Sequence, residues 1–282
     1  MSFTHHFSVL PGDARQDHLV DVLLSKGYQV AYDMPLEKLC AASPVILGGI
    51  PFPYSYDELS LTSGQIFFGG CLSKEFLGAC TENHVTAFDY MTDRELTIFN
   101  AIATAEGTIA AMIQNSYFNL HGASVLIFGF GTCAKALADR LSSLHTNICI
   151  CARNKAARAE AVSRGFDAIP FTDLRGRLPG FLFIVNTVPA LVLTEELLNF
   201  VHPECLITDI ASAPGGIDKD SADKLQFHVQ TLPGIPGKIS PKTSASYMAA
   251  FLLKTLKSTT SKTPPQTPND NPKETDICPE VR

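Results

Sequence analysis

An α/β fold in two doubly wound domains is what this 282-residue sequence predicts, and three observations carry that reading. Short apolar runs alternate with helical patterns from end to end, the arrangement of βα units and parallel sheets. The runs are apolar on both faces rather than alternating, as strands covered by helices on each side are. A single long helical pattern divides them into two blocks, 1–118 and 119–241, each of ordinary domain size. Hydrophobic residues make up 45% of the chain and charged residues 18%, enough apolar material for a sizeable core.

The first block opens with a strand over 7–10 and a helix over 13–26 that Gly27 closes. Strands follow at 28–32, 45–49, 66–70 and 85–90. Between 92 and 119, Ala, Ile, Met and Leu recur at helical spacing with no proline, which predicts one long helix. Asp93 and Glu95 stand at its start, where the helix dipole favours anions. Asn100, Thr104 and Gly107 share a face expected to pack against the sheet, and Glu106 lies well round from Thr104. The second block carries strands at 125–129, 147–152, 181–186, 205–210 and 227–230. A last helix, 243–257, follows Pro241 and is expected to pack back onto the first domain. The segment 258–282 holds five prolines and almost nothing apolar, which predicts a disordered tail.

Several function classes are disfavoured. Lys+Arg number 22 against 28 Asp+Glu, a net charge of −6, with no basic block to follow a phosphate backbone; no nucleic-acid partner is expected. No uninterrupted apolar run reaches the ~18 residues of a bilayer span, so no membrane partner is expected. The N-terminal MSFTHHFSVLPGD lacks the basic start and apolar stretch of a signal peptide, and a cytoplasmic location is expected. Eight cysteines form no C-x-x-C pair and stand near no histidine at ligand spacing, so no metal is expected. Cys149 and Cys151 share one strand face and read as core.

The sharpest local signal is V-L-I-F-G-F-G-T-C-A at 125–134, which closes a strand and opens a helix. Gly129 permits the tight turn, Gly131 lets the backbone approach a pyrophosphate, and Ala134 still allows close helix–strand packing. The first amides of the helix, at Thr132, Cys133 and Ala134, face the phosphates. This predicts a Rossmann-type domain that binds NAD(P). After the next strand, where an NAD site carries an acid, the sequence has Arg153 and Asn154, followed by Lys155 and Arg158. A cation there pairs with a 2′-phosphate, so NADP is favoured over NAD; the alternative is a solvated helix start.

Other candidates stand at strand ends. Asn186, Thr187 and Pro189 close an apolar strand and should face the nicotinamide side of the crevice. Asp209 and Ser212 lead into the Gly215–Gly216 turn. The segment T-L-P-G-I-P-G-K-I-S-P-K-T, 231–243, is expected as a Gly/Pro-rich loop presenting Lys238 and Lys242 to a carboxylate, with solvated surface as the alternative. In the first block, Arg15 in P-G-D-A-R-Q is placed to fork onto a carboxylate; Asp13 is either a helix cap or a base. No general base stands out in the sequence; Asp13 and Asp209 are the candidates.

Six motifs together resemble a known family. G-D-A-R-Q at 12–16, R-E-L-x-I-x-N-A-I-A-T-A-E-G at 94–107, G-F-G at 129–131 and N-T-V-P at 186–189 look like the A chains of dipicolinate synthase. D-I-A-S-A-P-G-G-I-D at 209–218 and L-P-G-I-P-G-K-I-S-P-K-T at 232–243 extend the likeness. The resemblance implies NADP-dependent oxidation of dihydrodipicolinate to dipicolinate during sporulation. It also implies a partner, the flavoprotein-like B chain of dipicolinate synthase, with a homo-oligomer as a further option. Thr132-Cys133-Ala134 departs from the family's Arg-Thr-Gly and removes a phosphate-contacting arginine. Two alternatives stay open: a dehydrogenase of another small acid, of the alanine or shikimate type, and a non-catalytic nucleotide-binding partner.

Overall fold

The structure, a computed structural model, describes residues 6–260. The first unit runs β1 (His6–Val9), α1 (Ala14–Ser25), β2 (Gln29–Ala31), α2 (Leu36–Ala42) and β3 (Val45–Leu47). It continues through β4 (Ile66–Gly69), α3 (Lys74–Glu82) and β5 (Thr86–Asp89), and α4 (Arg94–Gln114) leads out of it. The second unit begins β6 (Ser124–Phe128), α5 (Thr132–Ser143), β7 (Asn147–Cys151), α6 (Lys155–Ser163) and β8 (Asp167–Ile169). Then come α7 (Leu174–Arg177), β9 (Phe183–Asn186), α8 (Glu195–Leu198), β10 (Leu206–Asp209), α9 (Lys219–Lys224) and β11 (Val229–Thr231). A short α10 (Ile235–Ile239) and a long α11 (Pro241–Thr260) end the described chain.

Both sheets are parallel, and each has one place where the strand order reverses. The first is ordered β2-β1-β3-β4-β5, so the chain leaves β1 in one direction and returns on its other side at β3. The second is ordered β11-β10-β9-β6-β7-β8, with the reversal between β6 and β9. Ligands of open α/β sheets bind outside the carboxyl ends of strands at such reversals. The topology therefore marks two crevices, one at β1/β3 and one at β6/β9.

Side chains set the element ends. Asp13 caps α1 by accepting from the Arg15 amide, and Gly27, at φ +82°, closes the turn after it. Ser73 caps α3 and Asp93 caps α4 through the amides of Phe76 and Leu96. One face of the first sheet packs Phe7, Val9, Leu47 and Phe68 against α1 and α11. The opposite face joins Ile46 and Phe67 to Leu39, Phe76 and Cys80 of α2 and α3. The second sheet is covered in the same way, with Val125, Ile127 and Val185 on one face and Leu126, Phe128 and Ile184 on the other. Helix α4 contributes to both units: Leu96 lies in the first core, Ala105 and Met112 in the second.

Several expectations are corrected. Helix α4 stops at Gln114 rather than 119, because the Asn115 amide and side chain both close onto the Ala111 carbonyl. The small-residue face of α4 meets α10 rather than a sheet: a Cβ at Gly107 would collide with Ile235 and lie 2.8 Å from Ile239. The segment 231–243 holds α10, whose Pro236 falls in the first turn, where a missing amide hydrogen costs nothing. Helix α11 starts at Pro241 and runs to Thr260, so the tail expected from 258 does not begin there; 261–282 lie outside the described residues. By length and composition α4 could cross a membrane, but half of its apolar window is buried within the molecule.

Candidate functional site

The crevice at β6/β9 is built from glycines. Gly129 adopts φ +88°, and a Cβ there would sit 2.8 Å from Thr187 Oγ1 and 2.9 Å from Val188 Cγ2. Only glycine fits both the left-handed backbone and the close β9 turn. Gly131 caps α5 without a side chain, and a Cβ on it would meet nothing within 4 Å. The first intrahelical bond runs from Lys135 N to Gly131 O, 2.9 Å, so the amides of Thr132, Cys133 and Ala134 have no intrahelical acceptor. Ala134 itself is buried against the sheet. The result is an open backbone cradle at the positive end of a twelve-residue helix, suited to a phosphate.

Around that cradle the expected residues divide. Arg153 is exposed and makes no side-chain hydrogen bond or ion pair among the described residues. Arg158 supports it from behind, donating to the carbonyls of Ala152 and Arg153. The Asn154 carbonyl oxygen is occupied in capping α6 through Ala156 N, 2.8 Å. Thr187 donates to Phe128 O at 2.7 Å and ties β9 to β6, while Pro189 is exposed.

Asn186 and Asp209, expected to stand free at the strand ends, are buried and hydrogen-bonded to each other. Asn186 is fully buried; its Nδ2 donates to Asp209 Oδ1 at 2.8 Å and to Val188 O, and its Oδ1 accepts from Val188 N. Asp209 is 1% exposed and also accepts from the amides of Ala211 and Gly216, at 3.1 and 2.9 Å. The physical reason lies in the 210–216 loop, whose buried amides need an acceptor. With both oxygens so occupied, Asp209 holds this loop.

At β1/β3 the sequence candidates come together in an unexpected way. Arg15 is 2% exposed and turned onto its neighbour: Nε lies 2.9 Å from Asp13 Oδ1, Nη2 lies 2.6 Å from Asp13 Oδ2, and Nη2 also donates to the Ile50 carbonyl. The fork expected to be free for a ligand therefore grips Asp13, because a buried guanidinium requires a carboxylate. Burial raises the Asp13 pKa, but the hydrogen bonds and charge of Arg15 outweigh that and hold it below the ordinary carboxylate value. Asp13 thus stays ionised and is a weak base. Gly237 of α10 closes over the pair; a Cβ there would collide with Asp13 and stand 3.0 Å from Arg15 Nε. Lys238 and Lys242 are both exposed, the first beside Gly237 and the second in the first turn of α11.

No protein-family model matches the chain. The A chain of dipicolinate synthase from Bacillus subtilis (strain 168) is 32% identical to it over 155 residues, 55% of this chain and 52% of the relative. This chain resembles the A chain of dipicolinate synthase. The matched stretch spans about half the length of that relative. Two crystal structures of dipicolinate synthase A chains share the fold, each with a TM-score of 0.79. The one from Bacillus halodurans is 24% identical and covers 91% of this chain and 99% of its own. The one from Bacillus subtilis is 22% identical, covering 93% and 98%. The apo-structure of D-lactate dehydrogenase from Escherichia coli matches with a TM-score of 0.64 at 14% identity, over 90% of this chain and 96% of its own. The likeness to dipicolinate synthase A chains in fold extends over both crevices.

Two features escape sequence reasoning. Gln16, next to Arg15, is 4% exposed, and neither end of its amide has a hydrogen-bond partner among the described residues. The contact of Gly237 with Asp13 links positions more than 200 apart in the sequence. The P-G motifs hint at turns, but only the folded chain shows which turns meet.

Proposed function

We propose that this chain is an NADP-linked oxidoreductase that converts dihydrodipicolinate to dipicolinate, acting with the flavoprotein-like B chain of dipicolinate synthase. The observation that carries the proposal is the 32% identity with a dipicolinate synthase A chain, in a chain with a phosphate cradle at the β6/β9 reversal. When bound, the nicotinamide supplies a hydride acceptor. The chain's own part is placement. Gly129, Gly131 and the amides of residues 132–134 hold the pyrophosphate, and Thr187 and Pro189 border the same crevice. Arg153 meets the 2′-phosphate; a charge-assisted pair of that kind is worth roughly 1.5–3 kcal/mol. Lys238 and Lys242, on the α10–α11 side, supply cations for the carboxylates of the ring. Arg15 acts beneath them by fixing Asp13. Aromatisation drives the reaction, so holding a dicarboxylate in one orientation is most of the task.

The test is a titration with both nucleotides and an assay for dipicolinate. Wild-type protein should bind NADPH about tenfold to a hundredfold more tightly than NADH, and Arg153→Asp should remove the difference. With NADP⁺, dihydrodipicolinate and the B chain, dipicolinate should accumulate. Equal affinity for the two nucleotides removes the NADP assignment, and no dipicolinate in the complete mixture removes the activity.

A further inference from the structure

The first sheet has its own ligand position, and one residue there is left without a partner. Gln16 sits in the first turn of α1, where the backbone leaves β1, and its amide lies between two glycines. A Cβ on Gly12 would stand 2.7 Å from Gln16 Oε1, and one on Gly49 would stand 3.2 Å from Nε2. Gly12 follows β1 and Gly49 follows β3, so the amide occupies the β1/β3 reversal, where sheets of this strand order bind their ligands. Strand order and side-chain satisfaction are independent observations, and they point to the same small volume.

A buried amide with both ends unpaired carries a desolvation cost that native proteins rarely leave uncompensated. Leucine or methionine would fill the same volume without that cost, so a side chain with a donor and an acceptor needs a reason. Its neighbour Arg15, 2% exposed, is paired with the Asp13 carboxylate through Nε and Nη2, and its Nη1 makes no hydrogen bond among the described residues. On the solvent side the amide lies against Gly12, which is exposed and has no side chain to block approach.

We infer that the β1/β3 crevice is the acid-binding site of the first unit and that Gln16 is its positioning residue. Its Nε2 donates to a carboxylate of a small planar acid, and its Oε1 is left for a donor on the same ligand or an ordered water. That the acid is dipicolinate or its dihydro precursor rests on the function proposed above; the site itself does not.

The experiment uses the full chain with Gln16→Met, which keeps the length and removes both polar ends, and Gln16→Glu, which keeps the shape and turns the donor into an acceptor. Pyridine-2,6-dicarboxylate, pyridine-2-carboxylate, pyruvate, alanine and shikimate are each titrated by calorimetry, with NADPH as the control. The expected result is that pyridine-2,6-dicarboxylate affinity falls at least about tenfold in Gln16→Met and further in Gln16→Glu. The melting temperature of Gln16→Met should not fall, and NADPH affinity should be unchanged in both. A purely structural glutamine predicts the reverse: a lower melting temperature and unchanged acid affinity, which would overturn the inference. Wild-type protein that binds none of the acids overturns it too. If another acid binds in a Gln16-dependent way and pyridine-2,6-dicarboxylate does not, the site stands and the dipicolinate reading falls.

Discussion

Arg15 and Asp13 show how two neighbouring charges can exchange the roles their sequence suggests. A guanidinium whose side chain is 3% exposed needs its counter-ion, and Asp13, whose side chain is 40% exposed, provides it from the edge of the crevice. Removing one partner of a fully buried pair costs about 3–5 kcal/mol. Asp13 is half in water, so screening reduces the figure, and Asp13→Ala should cost about 1–3 kcal/mol in urea unfolding. The pH dependence has a definite sign. The folded carboxyl titrates below its unfolded value, so its contribution is full above the ordinary carboxylate range and is lost as pH falls through the folded value. Wild-type stability should therefore drop below about pH 4 by an increment that Asp13→Asn lacks. Acid titrations of the two proteins with identical slopes would show that the pair contributes nothing. The sequence placed both residues at the right turn. It could not show that Arg15 points inward, because that depends on Ile50 and Gly237, far away in the chain.

At the scale of elements, the long α4 meets the short α10 through a residue without a side chain. Gly107 of α4 accepts Ile235 and Ile239 of α10 directly against its backbone. Alanine is the better helix former by about 1 kcal/mol, yet overpacking costs about 1–3 kcal/mol. Ile235 is 5% exposed and β-branched, so it has little room to yield. The clash should win, and Gly107→Ala should destabilise by about 1–2 kcal/mol. Ile235→Ala in the same chain opens the space, so the double variant should lose at least about 1 kcal/mol less than the sum of the singles. Strict additivity in the cycle would mean that the two helices do not press on each other. Elements like these were legible to different degrees. Apolar strands and the G-F-G turn carry strong local patterns and were found where expected. Strand β8 has only three residues, one of them charged, and α10 contains both proline and glycine. Their structure comes from packing, which leaves little trace in a local window.

The whole molecule closes a core with residues from both ends of the chain. Ala245, Met248, Ala249, Leu252 and Leu256 of α11 are buried in the first core beside Phe7, Leu19, Leu23 and Phe68. The sequence already predicts that the last helix packs back onto the first domain; which strands and side chains it meets there is written in no local pattern. Fully burying a large apolar side chain is worth about 1.5–3 kcal/mol. Met248, Leu252 and Leu256 alone therefore contribute roughly 5–9 kcal/mol, comparable with the ~5–15 kcal/mol that holds a whole domain folded. A chain ending at Ser240 should then lose the first unit as a cooperative structure, because Phe7 and Phe68 would face water. The second sheet draws its core from α4, α5 and its own strands, so it should survive. Scanning calorimetry should show a transition of reduced enthalpy, and NADPH, if the β6/β9 crevice binds it, should still raise its midpoint. An unchanged transition in the truncated chain would mean that α11 covers the first sheet without supporting it.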